Sequence, residues 1–315
     1  MNCPKVELFM DLSVIIPAFN EEDYVSQCLS SVKNVLGGRD IDYEILLVDN
    51  GSCDKTSQIA SSFSGVSVFS ISRTSVSQAR NYGAQKAQGR IFAFIDADVV
   101  LKSIWGERIE ALCNGCNKLF VTGYQYGVRD EPSWIEKYWF SNLKSNHISG
   151  GNLIVSCDAF LKIGGFDPGL KTGEDVDFCS KAKLIPDIEY TTDPSLVCVH
   201  LGYPSTVYQF MKRELWHGEG DFRSLRDFRK SKIAKLSLGY GAASLVFFGA
   251  LAIQEWYLAS LIFFVFILSN YVLVCLRFDS WWGKASFFNS FINYLYFISR
   301  FFSLFRAVRG RNRVY

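Results

Sequence analysis

The apolar run Ile91-Phe92-Ala93-Phe94-Ile95 ends abruptly in Asp96-Ala97-Asp98, and this junction constrains the chain more than any other stretch. Five consecutive apolar residues read as a strand buried on both faces, the pattern of a parallel sheet. Residues two apart in an extended chain point the same way, so Asp96 and Asp98 are predicted to project together from the strand end. Two like charges at the mouth of an apolar strand repel, and a cation or ligand between them relieves that cost. Mg2+ or Mn2+ would suit such a place, because hard ions take one or two carboxylates and share their remaining positions with phosphates. The tripeptide alone also fits a solvated acidic turn; its surroundings argue against that.

Three earlier apolar stretches repeat the theme. Residues 12–19, 43–49 and 66–71 read as strands, and residues 23–36, 54–63 and 75–88 as helices, the last stopping at Gly89. This βαβα order implies an α/β chain, with a mostly parallel sheet wrapped by helices on both faces. From Lys118 to about Leu215 the pattern loosens. Strands are predicted over 119–126, 152–156 and 196–199, and helices over 134–143 and 174–184.

The chain has 315 residues, 49% hydrophobic and 16% aromatic, with the apolar excess in the last quarter. Residues 236–253 and 257–276 carry no charge, and only Gln254-Glu255-Trp256 separates them. Each is long enough for the roughly 30 Å hydrocarbon core of a bilayer, which predicts a transmembrane helical hairpin with both ends on one side. Arg223, Arg226, Arg229, Lys230, Lys232 and Lys235 before it and Arg277 after it assign that side to the cytosol. Residues 286–305 are aromatic but include Asn289, Asn293 and Arg300, and are read as an amphipathic helix in the cytosolic interface. A third crossing would carry Arg309, Arg311 and Arg313 outside, against the positive-inside tendency; a buried soluble helical domain is the bland alternative.

The net charge of +2 gives no reason to expect a nucleic-acid partner. Nine cysteines, an odd number, read as reduced thiols, and Cys113-Asn114-Gly115-Cys116 lacks the second pair that a zinc site needs. Residues 1–11 show no signal-peptide pattern, so the catalytic part is expected in the cytosol, at the cell membrane. The predicted layout is an extension over 1–11 and a catalytic domain over 12–222, with a nucleotide-binding half over 12–100 and an acceptor half over 101–222. A basic linker and the membrane helices fill 223–315.

Ligands of open α/β sheets sit at the carboxyl ends of the strands. Here three such ends are polar: Pro17-Ala18-Phe19-Asn20-Glu21-Glu22, Asp49-Asn50-Gly51-Ser52-Cys53-Asp54 and Asp96-Ala97-Asp98. In these loops the chain resembles the family 2 glycosyltransferases, which have the A-type nucleotide-diphosphosugar fold. The matching stretches are VIIPAFNEE, EILLVDNGSCDKT, ARNYGAQKAQGRIFAFIDAD, GGN, IGGFDPGLKTGEDVDF and, more loosely, VHLGYPSTVYQFMKRELWHGEG, spanning about Leu12 to Gly220.

The resemblance implies a set of roles. Pro17, Ala18, Phe19, Asn20, Glu21 and Asp49 would hold the nucleobase and ribose, with Arg80 approaching the nucleotide. Asp96 and Ala97 would lie by the ribose and metal, Asp98 would be the direct metal ligand, and His200 would complete the metal or diphosphate site. Arg213 would meet phosphate, in a segment with Trp216 and His217, Trp216 on the acceptor side. Asp175 would be the catalytic base, with Glu174 the second candidate. Gly150-Gly151-Asn152 would floor the acceptor site, where a side chain would obstruct the sugar; His147 has only its nearness to these glycines. Bland readings stand beside these: Arg80 as a surface arginine, His200 as a satisfied half-buried histidine, and Thr172-Gly173-Glu174-Asp175 as a helix cap. Asn50 stands where many relatives carry a second aspartate, and a modest effect on nucleotide choice is expected.

The expected activity is inverting transfer of a sugar from a nucleotide-diphosphate donor to a lipid-linked saccharide or glycan at the cytosolic membrane face. It would use Mg2+ or Mn2+ and serve cell-surface polysaccharide or glycolipid synthesis. A polyprenyl-phosphate glycosyltransferase and an inactive membrane scaffold are the alternatives. A nucleotidyltransferase would need a glycine-rich loop after its first strand and a dinucleotide oxidoreductase G-x-G-x-x-G, and Pro17-Ala18-Phe19-Asn20 is neither. Gln209-Phe210-Met211-Lys212-Arg213 matches the Q-x-x-R-W pattern of processive synthases only in part, so a single addition is expected.

Overall fold

A computed structural model of the chain describes residues 10–115, 118–143, 148–170, 172–222, 224–279 and 283–311. Cys116, His147, Arg223 and Arg313, named above, lie outside the described residues. The strands are β1 (Met10–Ala18), β2 (Tyr43–Asp49), β3 (Val66–Ser70), β4 (Gly89–Ile95), β5 (Val99–Leu101), β6 (Phe120–Gly123), β7 (Asn152–Ser156), β8 (Glu189–Tyr190) and β9 (Cys198–His200). The helices are α1 (Val25–Leu36), α2 (Thr56–Ser61), α3 (Val76–Lys86), α4 (Ser103–Gly115), α5 (Trp134–Tyr138), α6 (Cys157–Ile163), α7 (Glu174–Lys183), α8 (Val207–His217), α9 (Leu225–Lys230), α10 (Lys232–Ala252), α11 (Trp256–Phe278) and α12 (Lys284–Arg311).

The chain forms two compact units. One takes the residues up to Arg129 and Ser145–Gly202; the other takes Asp130–Lys144 and the residues from Tyr203 on. A division at residue 222 differs from this one by α5 and α8, which both pack on α12 in the second unit.

In the first unit a seven-stranded sheet has the order β3-β2-β1-β4-β7-β6-β8. β3, β2, β1 and β4 are parallel, β7 runs antiparallel to β4 and β6, and β8 is parallel to β6. β5 and β9 pair separately. Alternation along the central strands divides two cores. Val14, Ile16, Ala93 and Ile95 pack with Leu29, Val32 and Trp105 on one face, while Ile15, Phe92 and Phe94 pack with Phe160, Phe166 and Phe178 on the other.

Two details mark the carboxyl ends of these strands. The β1–β4 ladder stops at Ile15 opposite Phe94, but β1 continues to Ala18 paired with β2 alone. Pro17, which has no N–H to give, sits where the β4 partner has already gone. The chain also leaves β1 for β2 on one side while β4 lies on the other, which is the switch point where such sheets bind ligands.

Gly89 does not cap α3 as expected. The helix ends at Lys86, Ala87 is already extended, and Gly89 opens β4 opposite Met10. A Cβ there would lie 2.4 Å from the Ser13 nitrogen, so the constraint is close approach of two strands, not a left-handed turn.

In the second unit, α10 and α11 are the helices long and apolar enough to cross a bilayer. α12 packs on both, and on α8 and α5. Its Asn289, Asn293 and Arg300 face inward. Asn293 and Tyr240 both donate to Asn270 Oδ1 at 2.8 Å, and Arg300 pairs with Glu214 and Asp221, each at 2.9 Å. Its exposed stripe is aromatic instead: Phe287, Phe291, Phe302 and Phe305. An aqueous helix shows the reverse arrangement, while a lipid-bathed surface accommodates this one.

Gly89→Ala is expected to lower stability by about 2 kcal/mol, because β1 or β4 must shift to admit the methyl group. Chemical denaturation of the variant checks this; an unchanged midpoint would contradict the close-approach account.

Candidate functional site

The loops after β1 and β2 are knitted into one surface. Asn20 adopts φ 55°, its nitrogen donates to Ser52 Oγ at 3.0 Å, and its Oδ1 accepts from Cys53 N at 2.9 Å. Glu21 N donates to Thr56 Oγ1 at 2.7 Å. Asp49 is buried and accepts from Ser52 N at 3.0 Å. Phe19 carries the Arg73 guanidinium over its ring, 3.2 Å from the centroid. Arg73 was not legible in the sequence, because its segment shows no motif.

Asn50 has a structural explanation. It is buried, its Nδ2 donates to Thr74 O at 3.0 Å and its Oδ1 accepts from Thr74 N at 2.8 Å. Only an amide both gives and receives here; an aspartate would set an oxygen against the Thr74 carbonyl.

Asp96 and Asp98, expected to project together, leave a turn and not a strand. β4 ends at Ile95, and residues 96–98 form a turn in which Val99 N donates to Asp96 O at 3.0 Å. The two carboxylates take different partners. Asp96 Oδ1 meets Arg80 Nη2 at 2.7 Å, and its Oδ2 accepts from the Tyr126 hydroxyl at 2.7 Å. Asp98 Oδ2 instead lies 3.3 Å from His200 Nε2, and β9 brings His200 there by pairing it with Val99.

Arg80 is corrected as well. It is 3% exposed, on the inner face of α3, and pairs with Asp96 on one side and with Glu174 Oε1 on the other, 2.7 Å from each. Gly83, one turn further on, fixes this placement, since its Cβ would lie 2.4 Å from Ile15 Cγ2 and only glycine lets α3 settle onto β1. Arg80 is thus neither a surface arginine nor a free donor ligand. Burial opposes its charge, but Asp96 and Glu174 outweigh burial and hold it firmly protonated.

Gly150 and Gly151 are needed close to these groups. A Cβ on Gly150 would approach Arg80 Nη1 at 3.0 Å, and one on Gly151 would sit 2.1 Å from Asp96 Cγ. The obstruction is the protein's own charged cluster and not, as expected, an acceptor sugar. Asn152 leaves the acceptor set altogether. It is fully buried, accepts from Trp105 Nε1 at 3.0 Å and donates to Leu196 O at 2.8 Å.

Glu174 and Asp175 open α7, whose N-cap is Gly173 at φ 79° with no side-chain cap, so the Thr172 capping reading fails. Glu174 is buried against Arg80. Asp175 is half-buried, and its Oδ2 accepts from Gly150 N at 3.2 Å. Ala97 is buried within the turn. Arg213 and Trp216 lie on α8 in the second unit, Arg213 bonding Glu214 at 2.8 Å and Trp216 46% exposed.

Electrostatically, burial against Arg80 and Tyr126 leaves Asp96 below its usual carboxylate range, because their attraction exceeds the desolvation cost. Glu21 goes the other way: burial, then the charges of Asp98, Asp96, Asp54 and Asp23, raise it from 4.5 to about 8. Among the described residues no three His, Cys, Asp or Glu side chains gather into a metal cage. Asp98 and His200 do offer one carboxylate and one imidazole, a partial set that suits a divalent ion sharing its other positions with phosphate oxygens.

Because the folded pKa of Glu21 is raised, its protonated form is the stable one: its contribution is complete below pH 4.5 and lost as pH rises through about 8. Glu21→Gln should therefore gain thermal stability over wild type progressively across that window. His217, lowered to about 3 by burial and by Arg213, acts in the opposite sense in both proteins and cancels in the difference. A melting-temperature difference that is flat from pH 4.5 to 8 would contradict the assignment. Asn50→Asp is expected to cost about 1–3 kcal/mol in a denaturant titration, through the lost donor to Thr74.

Residues 13–160 match the family model described as "Glycosyl transferase family 2". Glycosyltransferase AglE of Haloferax volcanii is 31% identical over 185 residues, 54% of this chain and 60% of that protein. Dolichol-phosphate mannosyltransferase of Pyrococcus furiosus is 34% identical over 127 residues, 39% of this chain and 36% of that one. The alignments thus span less than two thirds of these relatives' own length. Among solved structures, the mannosyltransferase PcManGT from Pyrobaculum calidifontis superimposes with a TM-score of 0.58 at 16% identity, covering 98% of this chain and 91% of that one. That likeness confirms an A-type fold with a mostly parallel sheet. Residues 13–160, just under half of the chain, are therefore similar to glycosyl transferase family 2.

Proposed function

We propose that this protein is an inverting glycosyltransferase that takes a sugar from a nucleoside diphosphate and passes it to a hydroxyl of a lipid-linked saccharide or glycan at the cytosolic membrane face. The observation that carries the reading is the division of labour between neighbouring acids. Arg80 pairs with Asp96 and Glu174 together, a triad that keeps one net negative charge, while Asp98 meets His200 and Asp175 accepts from Gly150 N. Asp175 is tied through Gly150 N to the turn that packs on Asp96, so both remaining acids border one cluster.

In this scheme the loops after β1 and β2 cradle the nucleoside, with Asp49 accepting an N–H of the base. Asp98, with His200, would hold a Mg2+ or Mn2+ ion, which when bound neutralises charge on the diphosphate. Asp175 takes the proton of the acceptor hydroxyl as its oxygen bonds to the anomeric carbon. The bond from that carbon to the diphosphate oxygen breaks, and the electron pair leaves with the nucleoside diphosphate. Glu174, held by Arg80, cannot serve as that base without breaking a buried pair.

Several likenesses support the donor and setting. The fold neighbour is described in complex with GDP-Man and Mn2+, and a relative acts on dolichol phosphate by its name, which also keeps a polyprenyl-phosphate acceptor in view. The apolar helices α10 and α11 agree with an acceptor presented at a bilayer.

Incubation with UDP-, GDP- and dTDP-sugars should give Mn2+-dependent release of nucleoside diphosphate from one of them. Asp98→Ala should abolish it. Asp175→Asn should keep donor affinity within about threefold and lower transfer by at least about a thousandfold, the upper range for loss of a general base. Normal transfer by that variant would overturn the choice of base.

A further inference from the structure

Tyr126 stands outside every motif, on the segment after β6, yet it touches Asp96, Gly151 and His200. Its hydroxyl donates to Asp96 Oδ2 at 2.7 Å and accepts from Gly151 N at 2.8 Å. Its ring lies 4.9 Å, centroid to centroid, from the His200 ring. The hydroxyl has one proton to give, and the carboxylate takes it, so the Gly151 amide bonds its lone pair. Burial and the adjoining Asp96 raise the phenol well above its ordinary range, so it stays protonated and keeps this direction of bonding.

The backbone reinforces the same joint. Asp96 N donates to Gly151 O at 3.3 Å, and β7 begins beside it with Asn152 paired to Ile95. A continuous chain of contacts therefore runs Glu174–Arg80–Asp96–Tyr126–Gly151, with Gly150 N returning to Asp175. It links the turn after β4, which carries Asp98, to the turn before β7, which orients Asp175.

We propose that Tyr126 and Arg80 are positioning residues that make Asp96 a strut between the donor-side turn and the turn holding the base, so that Asp96 acts through its neighbours. This deepens the proposed transferase reading and rests on it. Two partners on Asp96 fix its carboxylate from both sides, and a strut of that kind sets the position of Gly150 and through it the aim of Asp175. The chemistry served is deprotonation of the acceptor hydroxyl, not recognition of the nucleotide.

The test uses the full-length protein, Tyr126→Phe and Arg80→Lys. It measures melting temperature, nucleoside-diphosphate binding with Mn2+ by calorimetry, donor hydrolysis to water, and transfer to a membrane-extracted glycolipid acceptor. Tyr126→Phe is expected to fold, to bind nucleotide within about threefold of wild type, and to lose about 10- to 100-fold in transfer, the range for residues that orient a reacting group from behind. Arg80→Lys, which keeps one charge but not the two-sided fork, should show the same split between binding and transfer. Transfer unchanged in Tyr126→Phe overturns the inference, and so does a parallel loss of melting temperature, nucleotide binding and transfer, which would make the residue merely structural. A wild-type protein that neither binds nor hydrolyses any nucleotide sugar would instead overturn the transferase reading itself.

Discussion

The structure depends on one guanidinium. Arg80 is 3% exposed and lies between Asp96, at the end of the central strand β4, and Glu174, at the start of α7. A buried cation is costly unless its partners are close and well directed, and two carboxylates at 2.7 Å meet that condition. Removing Arg80 leaves two uncompensated carboxylates, and breaking comparable buried pairs costs about 3–5 kcal/mol. Much of the local geometry can be understood as making room for this triad: Gly83 lets α3 approach β1, and Gly150 and Gly151 leave space for the guanidinium and the carboxylate.

The triad also distributes charge across the site. Asp96 and Glu174 share the single charge of Arg80, while Asp98 meets His200 and Asp175 accepts from Gly150 N. Glu21 feels the remaining negative field most, and its elevation to about 8 shows that burial and the acids nearby leave it uncompensated. A cation arriving at Asp98 would relieve that field, which is a physical reason to expect the site to favour a metal with an anionic donor. The second unit uses the same device at another place, where Arg300 joins Glu214 and Asp221 and ties α12 to α8.

Much of the architecture was legible in the sequence because alternation and helical spacing report burial directly. β2 at Tyr43–Asp49 and β7 at Asn152–Ser156 were read to the residue. β5, β8 and α6 are too short to show a periodicity and were missed, and the longer helices α4 and α8 were missed as well. At the site, residue type and order were informative but orientation was not. The two-residue spacing of Asp96 and Asp98 suggested a strand end, where the structure has a turn in which Asp96 meets Arg80 and Tyr126 and Asp98 meets His200. Asn152 resembled a ligand and is a buried tie between Trp105 and Leu196. Tyr126 and Arg73 act through contacts between distant segments, which no local pattern encodes. On α12, Asn289, Asn293 and Arg300 were visible as polar positions, but only the packing shows that they point inward.

The most direct test of this division between the acids is Mn2+ binding, followed by electron paramagnetic resonance, in the presence of UDP or GDP. If Arg80 and Tyr126 hold Asp96 away from the ion, Asp98→Asn should weaken binding by at least about tenfold, whereas Asp96→Asn should stay within a few fold of wild type. Equal loss in the two variants, or binding by Asp98→Asn at wild-type strength, would contradict the account.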